Sequence, residues 1–487
     1  MPAIITNKFR VHNSEQFRES FTESAGNTYY LSIGRPMPYT TSSRPDARTE
    51  NEGTDSSPIT PTDTENTQNF TYDDMLAAKK IDSSNVSIVI PRRNWTTGTV
   101  YDYYRHDYGD FLTGTTTANT ANSGATTLFD ATFYVLTAAR NVYKCLDNNG
   151  NAQSTVEPTG TSTSILSLAD GYKWKYMYTL SASQQANFLS TDFMAVSTNS
   201  TVSAAAVDGA INICKIKTAG SGGTDGTFTN IPIRGDGTGG IATVVVSSGA
   251  VTSVTMTSAG SGYTYGYLPN AKIVSNGSTN LTGAEIDVII EPKGGHGFNA
   301  VEELGGFFIM LNASLEGTES ANSGDVTVAN DFRKVALLKD PKTAGNPSTN
   351  TTMRATKAIK LTGVSGTFQA DEKITQATTN AVGKVVEWDA TNSILYYVQT
   401  RFLNEGVDSG GNKNAFSTNA TITGATSSAT GNPDTSHSAT TNNVVFNSGF
   451  SVAEIDAGSG QVLYVENRAP ITRAADQTEN IKLIVEF

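Results

Sequence analysis

The segment Tyr172-Lys-Trp-Lys-Tyr-Met-Tyr178 constrains the fold more than any other part of the chain. Tyr172, Trp174, Tyr176 and Tyr178 recur at period two, with Lys173, Lys175 and Met177 between them. In a strand this spacing puts four aromatic rings on one face; in a helix it would scatter them around the axis. A face of that kind is far more often a core than a sugar-stacking platform. The same period closes the chain, where Ile481, Leu483, Val485 and Phe487 alternate with Lys482 and Glu486. Tyr29–Pro36, Val86–Pro91, Phe133–Leu136 and Asn141–Leu146 are further predicted strands, the first two stopped by proline.

Composition agrees with strands joined by many loops. Hydrophobic residues are 37% and charged residues 16% of the 487, and Thr, Ser, Asn and Gly dominate the rest. Thr suits pleated surfaces, and Asn, Gly and Ser suit turns. With 20 Phe and 19 Tyr the chain can anchor cores, and its length calls for several domains. The expected fold class is mainly β: multi-domain antiparallel β-sandwiches with a few short helices and two inserted small β modules.

The net charge of −12 and the absence of any basic run longer than Lys79-Lys80 or Arg92-Arg93 argue against nucleic-acid binding, which needs clustered cations. Cys145 and Cys214 have neither metal-ligand nor disulfide-framework spacing, which fits reduced, cytosolic assembly. No signal peptide is recognisable, and no run approaches the ~20 apolar residues of a membrane span.

Two helices are expected. Asn13 would cap 13–19, with Gln16 at the capping-box position, and Thr71 with Asp74 would cap 71–80. Residues 41–69 read as a long exposed loop, and 404–440 as a mobile low-complexity stretch.

Two internal repeats stand out. Ile216-Lys-Thr-Ala-Gly-Ser-Gly222 recurs as Met256-Thr-Ser-Ala-Gly-Ser-Gly262, 40 residues on, around a tight hairpin expected at Ser248-Gly249-Ala250. Phe368, Ile374, Ala377, Thr378, Ala381 and Gly383 recur 48 residues on as Phe416, Ile422, Ala425, Thr426, Ala429 and Gly431, with the two glycines expected at matching turns. The domain reading is a core over 1–207, 291–355 and 441–487, interrupted by β modules at 208–290 and 356–440.

Five ordered strings carry a resemblance. Ser32-Ile-Gly-Arg-Pro-Met-Pro-Tyr39, Val89-Ile-Pro-Arg-Arg-Asn-Trp95, Val142-Tyr-Lys-Cys-Leu-Asp147, Asp170–Tyr178 and Tyr464-Val-Glu-Asn-Arg-Ala-Pro-Ile471 with the tail to Phe487 resemble the gene product 8 family of T-even phage baseplate wedge subunits. Asn94 stands where that family has Asp, and residues 208–290 and 356–440 have no obvious counterpart in it. The resemblance implies a β-sandwich homodimer without cofactor or small-molecule substrate. It would be assembled in the host cytoplasm, sit in the virion tail baseplate and join neighbouring wedge proteins.

Candidate interface residues are Arg92, Arg93, Trp95, Arg35 and Arg468, because Arg and Trp are enriched at hot spots. The competing reading of Arg92 and Arg93 is structural, with the guanidinium satisfying loop groups and Trp95 covering an edge. Tyr101–Tyr108 is either a recognition loop or an ordinary one with snorkelling tyrosines. Arg234-Gly235-Asp236 reads as incidental.

Catalytic signals are weak. His12, His106, His296 and His437 have no metal-type spacing, and no Gly-x-Ser-x-Gly, Walker or His-Glu-x-x-His motif occurs. Asp107, Asp110, Glu302 and Glu303 read as solvated loop charges. A structural, non-enzymatic protein is therefore expected, and the alternative is a carbohydrate-binding or glycan-depolymerising tail protein.

Overall fold

The computed structural model describes residues 4–23, 27–39, 52–111, 114–318, 326–327, 331–399, 405–472 and 477–487. It is 43% strand and 11% helix, with six short α-helices among the described residues. The chain divides into two compact units. One comprises Met1–Gln16, Ser87–Met310 and Ile484–Phe487; the other comprises Phe17–Val86 and Leu311–Leu483.

The first unit is built on Asn141–Asp147, which pairs antiparallel with Tyr134–Leu136 on one side and Lys173–Thr179 on the other. Tyr172, Trp174 and Tyr176 pack into one core with Tyr101, Val135, Tyr143, Cys145 and Val202. The Tyr172 and Trp174 rings stack at 5.6 Å. Tyr178 does not join that core, because the register slips between Val142↔Tyr178 and Tyr143↔Tyr176. Lys175 and Met177 are buried as well, so the strand is covered on both faces where the alternation implies one wet face.

Residues 211–290 hold a core of their own, from Ile211 to Ile290. The segment is closed by Ile213–Ser221 pairing with Thr282–Ile289, with Ile213 opposite Ile289. The expected hairpin joins Thr238–Ser247 to Ala250–Ser261. Ser248 and Gly249 both have positive φ, 55° and 76°, as a type I′ turn requires. The repeat is conformational too: Gly220 and Gly260 are both left-handed, and so are Gly222 and Gly262. At Gly260 a Cβ would stand 2.5 Å from the Gly240 nitrogen, so this copy needs the bare backbone.

The second unit contains a five-stranded antiparallel sheet. Its spatial order is Thr352–Arg354, Met75–Ile81, Tyr29–Gly34, Phe332–Lys339 and Gln461–Ile471. The helix expected over 71–80 is thus mostly strand. The helix lies earlier, at Glu65–Asp73, and is capped by Thr64, whose hydroxyl accepts the Thr67 N–H at 3.2 Å. Met75-Leu-Ala-Ala-Lys-Lys favours a helix by only tenths of a kcal/mol per residue. As a strand it gains two neighbours and buries Met75, Leu76, Ala77, Ala78 and Ile81. The N-terminal helix also starts earlier than expected, at Asn7, so Asn13 is interior and not a cap. Of the loop expected over 41–69, residues 41–51 lie outside the described residues; Gly53–Thr54 and Ser57–Pro58 form a small hairpin.

The second repeat builds a closed β-barrel in this unit. Ile394–Val398, Ala381–Asp389, Lys373–Gln376, Ile422–Gly424, Thr430–Pro433 and Lys357–Ser365 pair in that order, and the last pairs back to the first. The two copies meet through equivalent residues, Thr375 opposite Thr423, which is the register of a local two-fold axis. Ile374↔Gly383 is matched by Ile422↔Gly431. Phe368 and Phe416, Ile374 and Ile422, and Ala381 and Ala429 fill the interior as equivalent pairs. Gly383 and Gly431 therefore lie in strands, not turns. Two strands of the 404–440 stretch complete the barrel, so composition alone misrepresents it as mobile.

Candidate functional site

The candidate interface loop of the first unit leaves the sheet at Pro91. Arg92 donates from Nη1 to the Ser190 carbonyl at 2.7 Å and from Nε to Asn94 Oδ1 at 3.0 Å. Arg93 turns its guanidinium onto the carbonyls of Ala131, Phe129 (3.0 Å) and Asp130 (3.4 Å), with the Tyr134 ring 4.8 Å away. Trp95 donates from Nε1 to Ser154 Oγ at 3.1 Å and packs on the aromatic core. The loop is held by its own charged and aromatic side chains. Tyr101, Asp102 and Tyr104 of the tyrosine-rich segment are buried. The Asp102 carboxylate accepts from Ser123 and Thr132, through both backbone and hydroxyl in each case.

Beneath lies an ionic cluster absent from the candidates. Lys144, with no exposed side chain, points its ammonium at Glu303 Oε2 (2.8 Å), His296 Nδ1 (2.8 Å) and the Tyr104 ring (4.1 Å). Glu303 Oε1 accepts the N–H groups of Gly297 (2.8 Å) and Asn299 (3.3 Å), and Glu291 accepts that of His296 at 2.9 Å. Burial would raise the Glu303 carboxyl, but the Lys144 charge and the His296 contacts outweigh it and hold the group at about 2. Burial and the same lysine lower His296, keeping the imidazole neutral. Glu303 is thus a buried ion-pair partner and not the solvated loop charge expected. Asp107 is also engaged, forked by Arg105 at 2.8 Å. The available signal was a lysine set among Val142, Tyr143, Cys145 and Leu146 in a strand, which must find a counter-charge once buried.

In the second unit Arg35 and Arg468 flank one tyrosine. Arg35, at φ 60°, turns the chain before Pro36 and has no exposed side-chain surface. It donates to Glu52 (2.8 and 3.3 Å) and to the Met37 and Pro38 carbonyls (2.8 and 3.0 Å), with Asp74 3.8 Å away. Arg333 forks Asp55 at 3.1 and 3.0 Å and donates to the Pro36 carbonyl at 2.7 Å. The Tyr39 hydroxyl donates to the Arg333 carbonyl and accepts the Arg468 N–H at 3.2 Å. The Arg468 side chain is 40% exposed, with Glu466 at 3.5 Å. Of the five candidates, then, Arg35 acts wholly inside the fold, while Arg468 is partly exposed on the edge strand.

These clusters fix loops. Among the described residues no group of three or more His, Cys, Asp or Glu could hold a metal, and no helix is long and apolar enough to cross a membrane. A cleft of about 730 Å³ in the first unit is lined by Lys8, His12, Asp208, Lys293, Phe298 and Glu302; in it Lys8 pairs with Glu302 at 3.2 Å, and Asp208 accepts the Gly294 N–H at 2.6 Å.

The family model described as bacteriophage T4 Gp8 matches residues 3–149 and 415–487. Over these two segments the chain is similar to the phage Gp8 family. The match supports a structural role in a phage baseplate, which implies a place in the virion tail. Four of the five strings fall inside the match, including Arg35, Arg92, Arg93, Trp95 and Arg468. Asp170–Tyr178 falls outside it, as does everything between residues 150 and 414. The match reaches back to residue 415 and so takes in the second copy of the 48-residue repeat. No curated protein matches the chain.

Proposed function

We propose that the chain is a baseplate wedge subunit of a contractile-tailed phage that works as a homodimer, bridging neighbouring wedge proteins through rigid β surfaces, without catalysis. The observation that carries this reading is the use of the charged residues in the family strings. Arg35, Arg93 and Lys144 are each spent on fixing loops within their own unit. Side chains locked in this way suit a part that transmits position and moves as a body. Closed two-fold pairing is the commonest solution for such a subunit. Segments 208–290 and 356–440 are read as modules carried on the family-like core, and assembly takes place in the host cytoplasm. The acidic net charge makes a direct nucleic-acid partner unfavourable.

Light scattering of the full chain at micromolar concentration tests the pairing. A stable dimer that associates with other wedge proteins of the same phage agrees with the proposal. A monomer or trimer that fails to associate contradicts it.

A further inference from the structure

Within segment 211–290, two short strands, Arg234–Gly235 and Gly266–Tyr267, pair antiparallel, with Arg234 opposite Tyr267 and Gly235 opposite Gly266. Period two sorts their side chains. Ile233 and Leu268 are buried, and a Cβ on Gly266 would stand 3.4 Å from Ile211 and 3.5 Å from Ile233. Gly266 therefore faces the core, and Arg234, Asp236, Tyr265 and Tyr267 are all exposed. Tyr265 is 57% and Tyr267 51% exposed.

The ribbon is firmly held. The Asp236 carboxylate accepts the N–H groups of Thr264 (2.9 Å) and Tyr265 (3.1 Å) and the Thr264 hydroxyl, and these bonds keep it ionised, at about 2. Tyr263 is buried behind it and accepts the Gly240 N–H at 3.2 Å. A Cβ on Gly237 would come within 2.4 Å of the Tyr263 ring.

The geometry points to a saccharide-binding platform formed by Tyr265, Tyr267, Arg234 and Asp236. Tyr265 and Tyr267, two residues apart, leave both rings exposed and offer apolar surface to the C–H faces of pyranose rings. Arg234 supplies donors and Asp236 acceptors for sugar hydroxyls. A protein partner fits less well. A stable protein interface takes about 800 Å² per side around a water-excluded centre. Here the surroundings are Thr238, Gly239, Ser261, Gly262 and Thr264, all small and exposed. A small, wet patch of this kind matches a ligand of one or two rings.

The full-length protein, applied to an array of bacterial oligosaccharides and titrated with soluble dextran, tests the platform independently of the assembly role. Retention of at least one saccharide is expected. Tyr265→Ala and Tyr267→Ala should each weaken it about tenfold, the scale of one lost aromatic contact. Tyr265→Phe should keep it, and Phe111→Ala, at an exposed ring elsewhere, should leave it unchanged. Dextran competition separates a general glucan site from one specific for bacterial surface sugars. Absence of any retained saccharide at millimolar concentration, or equal retention by the double alanine variant, overturns the inference. So does a double variant that loses a protein partner while no saccharide binds.

Discussion

Replacing Lys144 by Met tests whether the buried cluster governs the first unit. Met keeps most of the stem's volume, so little cavity is created. What disappears is the ammonium 2.8 Å from Glu303, in a pair whose side chains are 0% and 3% exposed. Glu303 then keeps only two N–H donors and the His296 imidazole 3.8 Å away. Removing one partner of a buried pair costs ~3–5 kcal/mol. For a unit of this size that lowers Tm by roughly 6–20 °C at neutral pH. The pH dependence carries a second check. In the wild type the Glu303 carboxyl is held at about 2, below its ordinary 4.5, so its stabilisation is complete above the ordinary value and lost as pH falls toward 2. Without Lys144, burial dominates and raises that carboxyl, so folding favours the protonated acid. The variant's deficit should therefore shrink as pH falls from 7 toward 4. Pairing Lys144→Met with Glu303→Leu should recover most of the loss, because a well-packed apolar replacement is often neutral. Thermal melts across this pH range provide the readout. A single variant within about 2 °C of wild type at pH 7, or one with the same deficit at pH 4 and 7, would refute the reasoning.

Arg93→Ala removes a charged donor from three carbonyls; after allowance for partial exposure it should cost about 2–3 kcal/mol, visible in a denaturant melt. An unchanged melt with weakened association would instead make Arg93 an interface anchor. Tyr39→Phe, which removes the hydroxyl joining the Arg333 carbonyl to the Arg468 N–H, should cost about 1–2 kcal/mol in the same assay. Replacing residues 214–288 with a short Gly-Ser turn should leave a cooperative melt, since Ile213 and Ile289 are already paired; a broad, non-cooperative transition would show that the segment is integral to its unit.

Strands with a strong period or a proline stop, such as Val86–Pro91 and Lys173–Thr179, were legible in the sequence because their neighbours on the chain determine them. Met75–Ile81 was not, because its helical propensity is local while its strand neighbours Tyr29–Gly34 and Thr352–Arg354 are distant. The 48-residue repeat was legible as a spacing, but its use was not: nothing in the spacing says that Thr375 pairs with Thr423 and closes a barrel. The site residues divide the same way. Arg92, Arg93 and Trp95 stood out as residue types, yet their partners at 129–131, 154 and 190 come from the fold. Lys144 finds Glu303 across 159 positions, beyond the reach of any local pattern.

A cryo-EM map of the assembled tail tests the central claim most directly. This chain is expected in the baseplate, in two-fold pairs, with its β units seated against neighbouring wedge proteins. A map that puts it instead at a distal receptor-binding tip in threes, or finds no copy in the baseplate, would overturn the proposed role.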